Sequence, residues 1–312
     1  MKLTFLLVIL FCAAAIDPGS AQSGQIPLSV IVTTTADAAP FFYAQQQGLF
    51  AKAGLDVTAT IVASGSLATE AVIGGTAQIA QSNIFTVVLA HARGIPLVLI
   101  APGGQNNPAS PNLELFVARD SPIKTAKDLE GRTLGVTSVH DQQSLGARAL
   151  IEAAGGDITK VKFLELPQST MLNAVAAGRV DGFIAYEPYR SADEASGTVR
   201  SIGAPFDAIS KEPMIYTGWS ALRPWADQNR AAVETFAKVM RAASIYTNAH
   251  FDAVIPLMAA TAKIAPESLQ KMNRPKDATE LNPQDVQPVI DAAAHFKEIA
   301  APFPAREIVE AY

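Results

Sequence analysis

Apolar positions along the first part of the chain come in two rhythms. Over residues 28–33 (LSVIVT) they alternate and are largely β-branched, the pattern of a half-buried strand, and residues 55–61 resume the same character. Between them Pro40 fits the first position of a helix. Phe41, Ala44 and Leu49 fall near one helical face, and Gly48 and Gly54 punctuate its end. Strand rhythm returns over 78–80, 97–101, 113–118, 133–137, 161–166, 180–185 and 214–221, with helical patterns between most of these segments. Such alternation predicts an α/β protein with mainly parallel sheets flanked by helices. From Pro224 the pattern turns helical, over 224–249, 251–260, 266–272 and 283–296.

A faint repeat runs through the strand–helix part. Ser66-x4-Ala71-Val72-x2-Gly75 matches Ser169-x4-Ala174-Val175-x2-Gly178, each after a strand and each before a short strand ending Ile-Ala. Two similar lobes account for it, and so do two ordinary amphipathic helices with glycine stops.

Met1-Lys2, the apolar block 3–16 and the small residues Gly19 and Ala21 read as a secretory signal peptide over 1–21, cut after Ala21. No later run approaches the ~20 apolar residues of a membrane span. The only cysteine, Cys12, falls in this leader, which excludes disulfides and thiol catalysis from the exported chain; Phe11 before it argues against lipidation. The expectation is a soluble protein outside the inner membrane. A hydrophobic content of 49% supplies a large core, and a net charge of −5 argues against a nucleic-acid partner.

Candidate chemistry gathers in the polar loops that follow strands. Asp37 and Phe42 follow the first; Ser64-Gly65-Ser66 open a helix, where free N–H groups and hydroxyls suit an anion and equally suit a simple N-cap. Ser82 and Asn83 end the third strand, Ser138, Asp141 and Gln142 lead into another helix, and Tyr186, Glu187 and Trp219 complete the set. Aromatic residues in an α/β chain are core by default, and Glu187 suits a helix start as well as a ligand. No Lys or Arg occurs in 33–42, 63–69, 81–86 or 137–144. A bare oxyanion held by arginine is therefore disfavoured against an organic solute with an amino group or ring nitrogens, which would match the acids. His140 reads as a loop residue, with no metal and no cofactor expected, and the G-x-S-x-G, Walker and H-E-x-x-H signatures are absent.

The chain resembles the periplasmic solute-binding proteins of ABC importers, in the branch serving sulfonates, nitrate, taurine and thiamine precursors. The likeness rests on Ala39-Pro40 with Gly48-Leu49-Phe50 and Gly54-Leu55-Asp56-Val57, on Ser64-Gly65-Ser66, on the run Asp128 to Val136 (DLEGRTLGV), and on Gly178 to Phe183 (GRVDGF) with Glu187-Pro188. It implies a two-lobed type II periplasmic-binding-protein fold with a ligand in the cleft, hinge closure, and a helical C-terminal tail packed on lobe one. Lobe one is then 26–115 with 217–312 and lobe two 116–216, with crossings near 116–118 and 216–218. The implied partners are a small organic ligand and an inner-membrane permease, the protein itself being a monomer. Two rivals share the likeness: a thiamine-pyrimidine-synthase-like enzyme using pyridoxal phosphate, whose relatives carry a cysteine-rich signature and no leader, and a periplasmic ligand sensor.

Overall fold

A computed structural model describes residues 24–269 and 272–310; the leader read at 1–21, with Cys12, lies outside the described residues. Strand β1 (Ile26–Val32) leads through a short turn into α1 (Ala39–Gln46), which starts with Pro40 in its first turn. Gly48 takes the left-handed conformation at φ 63°, which costs glycine nothing, and so turns the chain into α2 (Leu49–Lys52). β2 (Leu55–Ile61), α3 (Gly65–Ile73), β3 (Ile79–Asn83), α4 (Ile84–Ala92) and β4 (Leu97–Pro102) follow, then the short β5 (Gly104–Asn106). The next series is β6 (Leu113–Ala118), β7 (Thr133–Val136), α5 (Gln142–Ala153), β8 (Lys162–Glu165), α6 (Met171–Ala176), β9 (Gly182–Tyr186), α7 (Tyr189–Ala195), β10 (Val199–Gly203) and α8 (Pro205–Ile209). The chain ends with β11 (Met214–Ile215), β12 (Thr217–Leu222), α9 (Arg223–Gln228), α10 (Arg230–Ala249), α11 (Phe251–Ala262), β13 (Lys276–Asp277) and α12 (Pro283–His295).

Two five-stranded sheets have the same topology. The first has the order β2-β1-β3-β12-β4 and the second β8-β7-β9-β6-β10. In each, the first three strands are parallel and the fourth is antiparallel to its neighbours. That antiparallel strand is exchanged: β6 follows the first sheet's elements in sequence yet joins the second sheet, and β12 does the reverse. The faint repeat is real at this level. Helices α3 and α6 occupy equivalent places between the second and third strands, and Gly75 and Gly178, which end the repeat, both turn left-handed at φ 76° and 67°. One signal at the helix stop recurs because one turn geometry recurs.

Several details differ from the sequence pattern. Residues 116–118, expected at a crossing, lie inside β6; the chain passes between sheets over 107–112 instead, and it re-enters the first sheet at Thr217. The single strand read over 214–221 is two strands in different sheets, because β11 pairs with β5 while β12 pairs with β3 and β4, and Tyr216 lies at the switch. With β13 these short strands make a third sheet, β11-β5-β13, too short to show a period. The helix read over 224–249 breaks at Asn229 into α9 and α10, and the segment expected helical over 266–272 opens as a 3₁₀ turn at Pro266–Leu269.

The first sheet's core is aromatic. Phe41 stacks on Trp219 at 5.2 Å, and Phe236 of α10 packs against both Trp219 and Phe50. Helices α10 and α11 lie on α1, as a tail packed on the first lobe requires. Helix α12 reaches further: it packs on α4 and also on α5 and α8, where His295 meets Glu152 at 2.7 Å. Among the described residues no helix is long and apolar enough to cross a membrane.

Candidate functional site

Six loops at the carboxyl ends of parallel strands, three from each sheet, converge on one cavity of about 50 Å³. Parallel strands all end on one edge, and the helices that follow begin there, so turn residues from strands distant in sequence become neighbours. The loop after β1 contributes Thr33, Thr34, Thr35 and Asp37; the one after β2, Ala63, Ser64 and Gly65; and the end of β3, Gln81 and Asn83. From the second sheet come Thr137 and Asp141 after β7, Gln168 after β8, and Tyr186 and Tyr189 around the end of β9. Tyr216 and Thr217, where the chain returns to the first sheet, close the ring. A second cavity of about 400 Å³ shares Ser64 and Thr137 with the first and adds Ser66, Ser138, His140, Glu70, Arg93 and Glu165.

Each sheet presents one buried carboxylate. Asp37 accepts from Gln81 Nε2 at 2.8 Å and from the Thr217 hydroxyl at 2.6 Å. Gln81 is held in turn by its Oε1, which accepts from the Thr33 N–H and hydroxyl. Asp141 caps α5, accepting from the Gln143 N–H at 2.9 Å and the Ser144 N–H at 3.2 Å, and also from the Thr137 hydroxyl. Burial pushes both carboxyls up, Asp141 to about 7, and in each case outweighs the donors that favour the charged form. At the mouth of α3, Ser64 Oγ accepts from the Leu67 N–H at 3.3 Å, leaving the Gly65 and Ser66 N–H groups without a partner among the described residues.

Backbone joins the two halves of the ring. The Ala36 N–H donates to the Glu187 carbonyl at 2.8 Å, linking the loop after β1 to the loop after β9. The Tyr189 hydroxyl reaches the Ala262 carbonyl at 3.3 Å, and the Ser66 and Thr86 hydroxyls donate to the His140 carbonyl at 3.4 and 3.2 Å. Gly104 is required beside the site: a Cβ there would collide with the Tyr216 hydroxyl and lie 2.8 Å from the Asp37 Cβ.

Of the residues singled out from sequence, Asp37, Ser64, Gly65, Asn83, Asp141 and Tyr186 line the first cavity. Ser66 and Ser138 line the second. Five lie elsewhere. Trp219 faces the aromatic core, because successive side chains of a strand point to opposite faces, and Phe42 is half-buried on the side of α1 that packs against the same cluster. Ser82 is bound to Thr69 and Ser220 beneath the sheet, and Gln142 turns to accept from the Phe85 N–H. Glu187 offers the ring its carbonyl while its carboxylate turns away to the Ser191 N–H and hydroxyl, 3.5 Å from Arg190; burial raises it to about 7. Thr33, Thr34, Thr35, Ala63, Gln81, Thr137, Gln168, Tyr189, Tyr216 and Thr217 were not singled out, though nearly all share the signal that marked the others, a position at or just past a strand end. Among the described residues no group of three or more His, Cys, Asp or Glu could hold a metal ion.

Two matched sheets exchanging one strand and enclosing a cavity between their loops make this a periplasmic-binding-protein fold. The chain belongs to the NMT1/THI5-like family, whose model matches residues 35–253. Over 193 residues, 62% of this chain, it is 28% identical to a protein of Escherichia coli (strain K12) named "Putative aliphatic sulfonates-binding protein". The match spans 58% of that relative's length. Among solved structures, the periplasmic aliphatic sulphonate binding protein SsuA of Escherichia coli superposes with a TM-score of 0.72 at 20% identity, covering 91% of this chain and 97% of that one. The alkanesulfonate-binding protein SsuA of Xanthomonas axonopodis pv. citri, bound to MOPS, gives 0.76 at 16% identity over 91% and 98%. The periplasmic nitrate-binding protein NrtA of Synechocystis PCC 6803 gives 0.74 at 14% over 90% and 84%.

Proposed function

We propose that the protein is the extracytoplasmic solute-binding receptor of an ABC importer, catching a small organic solute between two lobes and handing it to a membrane permease. One observation carries this reading: loops from the carboxyl ends of both sheets together line one cavity. One lobe is built on the sheet β2-β1-β3-β12-β4 with the tail from 217, the other on the sheet β8-β7-β9-β6-β10, so the first boundary falls at 107–112 and not at 116, and the lobes hinge where the chain passes between the sheets. The names of the sulfonate- and nitrate-binding relatives support the receptor role. The cavity wall itself favours a sulfonate with a donor group, taurine-like, or a pyrimidine-like solute over a bare oxyanion, since it offers hydroxyls, amides, tyrosines and two acids but no Lys or Arg. The residues that hold the solute are Asp37, Ser64, Gly65, Asn83, Asp141 and Tyr186. No reaction and no cofactor enter this role.

A thermal-shift panel of sulfonates, taurine, pyrimidines, nitrate and aromatic acids is the test. A true ligand at one hundred times its Kd raises stability by about 2.7 kcal/mol, and small-angle scattering of the same sample should show the protein contracting. Tight binding of nitrate or sulfate alone would overturn the organic-ligand reading; a ligand bound without contraction would overturn hinge closure.

A further inference from the structure

Asp37 and Asp141 are 2% and 4% exposed, they line one cavity, and every group that donates to them is neutral. No Lys, Arg or His of the described residues pairs with either. The titratable groups that face them are acids: Tyr186 feels both, Tyr216 and Asp277 stand on the Asp37 side, and Glu165 on the Asp141 side. His140, next to Asp141 in the chain, lines the larger neighbouring cavity instead. Tyr186 adds an independent pointer. It is 8% exposed and lines the same cavity, and its hydroxyl has no hydrogen-bond partner among the described residues. Its ring stacks on Tyr216 at 5.9 Å, so the wall also presents aromatic surface.

Buried carboxylates without a cation are expensive, and a cation that brings N–H donors to them removes that cost while tyrosine faces add attraction. We propose that the end of the ligand held in this cavity is a protonated amine or a similarly cationic N–H group, placed between Asp37 of the first sheet and Asp141 of the second, with the Tyr186 hydroxyl as a further acceptor. This rests on the reading of the cavity as the solute site. Because the two acids come from different lobes, one positive charge draws both toward it, so recognition and closure share a single interaction.

The experiment is calorimetric titration with matched solutes of equal length: a short aminoalkanesulfonate against the alkanesulfonate and hydroxyalkanesulfonate, and an aminomethyl-pyrimidine against its methyl analogue. The amine-bearing member should bind at least about tenfold more tightly, the size expected for a hydrogen bond to a charged group. Asp37→Asn and Asp141→Asn should each shrink the affinity ratio between the two members of a pair to within about twofold, the readout being that ratio and not the affinity of either member; asparagine keeps the acceptor oxygen and still caps a helix. Amine affinity should weaken as pH falls from about 8 to about 5.5 and Asp141 takes up its proton, and binding should release protons, visible as a buffer-dependent heat. Should an aspartate variant fail to fold, Tyr186→Phe, which removes one oxygen, reads the same preference and should lose it severalfold.

Equal affinity for both members of a pair, unchanged in the variants, overturns the cation while leaving the receptor role standing. Thr34→Trp, which fills the cavity, separates the two failures: binding that survives it overturns the cavity as the site. If no solute of either kind binds, both readings fall.

Discussion

Trp219 and Tyr186 look alike in the sequence, each an aromatic residue at a strand in a polar neighbourhood, yet one is mortar and the other faces the cavity. Trp219 is 1% exposed between Phe41 and Phe236, so Trp219→Ala should cost about 3–5 kcal/mol in chemical denaturation, the range for emptying a large aromatic site. Affinity for a ligand should stay within about twofold in the milder Trp219→Phe, since the ring does not reach the cavity. Arg190 makes a different case. It lies 3.1 Å from Glu114 and 3.5 Å from Glu187, all of them largely buried, so Arg190→Met strands two acids together. Denaturant melts at about pH 8 should show a loss of about 3–5 kcal/mol, and the loss should shrink near pH 5 as Glu187, which burial raises to about 7, takes up a proton. An equal loss at both pH values would mean that packing, not charge, is what Arg190 supplies.

At the scale of elements, the start of α3 is a close fit against backbone. A Cβ on Gly65 would stand 2.9 Å from the Asn83 backbone nitrogen, where β3 passes into α4, and backbone cannot swing aside as a side chain can. Gly65→Ala should therefore cost about 1–3 kcal/mol and weaken ligand binding as well, because the same shift moves Ser64 and Asn83. A variant as stable and as tight-binding as the parent would show that the junction is looser than its geometry. The Ser-Gly-Ser helix start was legible from the sequence because helix entry is a local affair of hydroxyl, glycine and the apolar run behind them. Whether Ser64 faces the solute was not: it caps Leu67 and lines two cavities at once, and only the loop after β7, more than seventy residues on, makes that place a cavity.

For the whole molecule, buried acids set how stability varies with pH. Burial lifts Asp141, Glu187 and Asp193 to about 7 and raises Asp37 and Asp277 as well. A carboxyl with a raised folded-state pKa binds protons more readily in the native state, so its contribution is full below the unfolded value near 4 and is lost as pH rises through about 7. Thermal melts of the ligand-free protein should accordingly fall in midpoint from about pH 5 to about pH 8, and Asp141→Asn should flatten the fall; a midpoint that climbs over that window would mean these acids are better solvated than their burial implies. Intact-mass measurement of exported protein tests the leader: a chain beginning at Gln22 is expected, and a lipidated Cys12 would overturn it. By itself the sequence determined the alternation of strands and helices, the polar loops at the strand ends, and the want of basic residues in them, since each is written in contacts a few residues long. Only the tertiary structure decided that β6 and β12 trade sheets, that Glu187 turns inward, and that Asp37 finds Thr217, 180 residues away, because burial and charge belong to whatever distant segments close around a group.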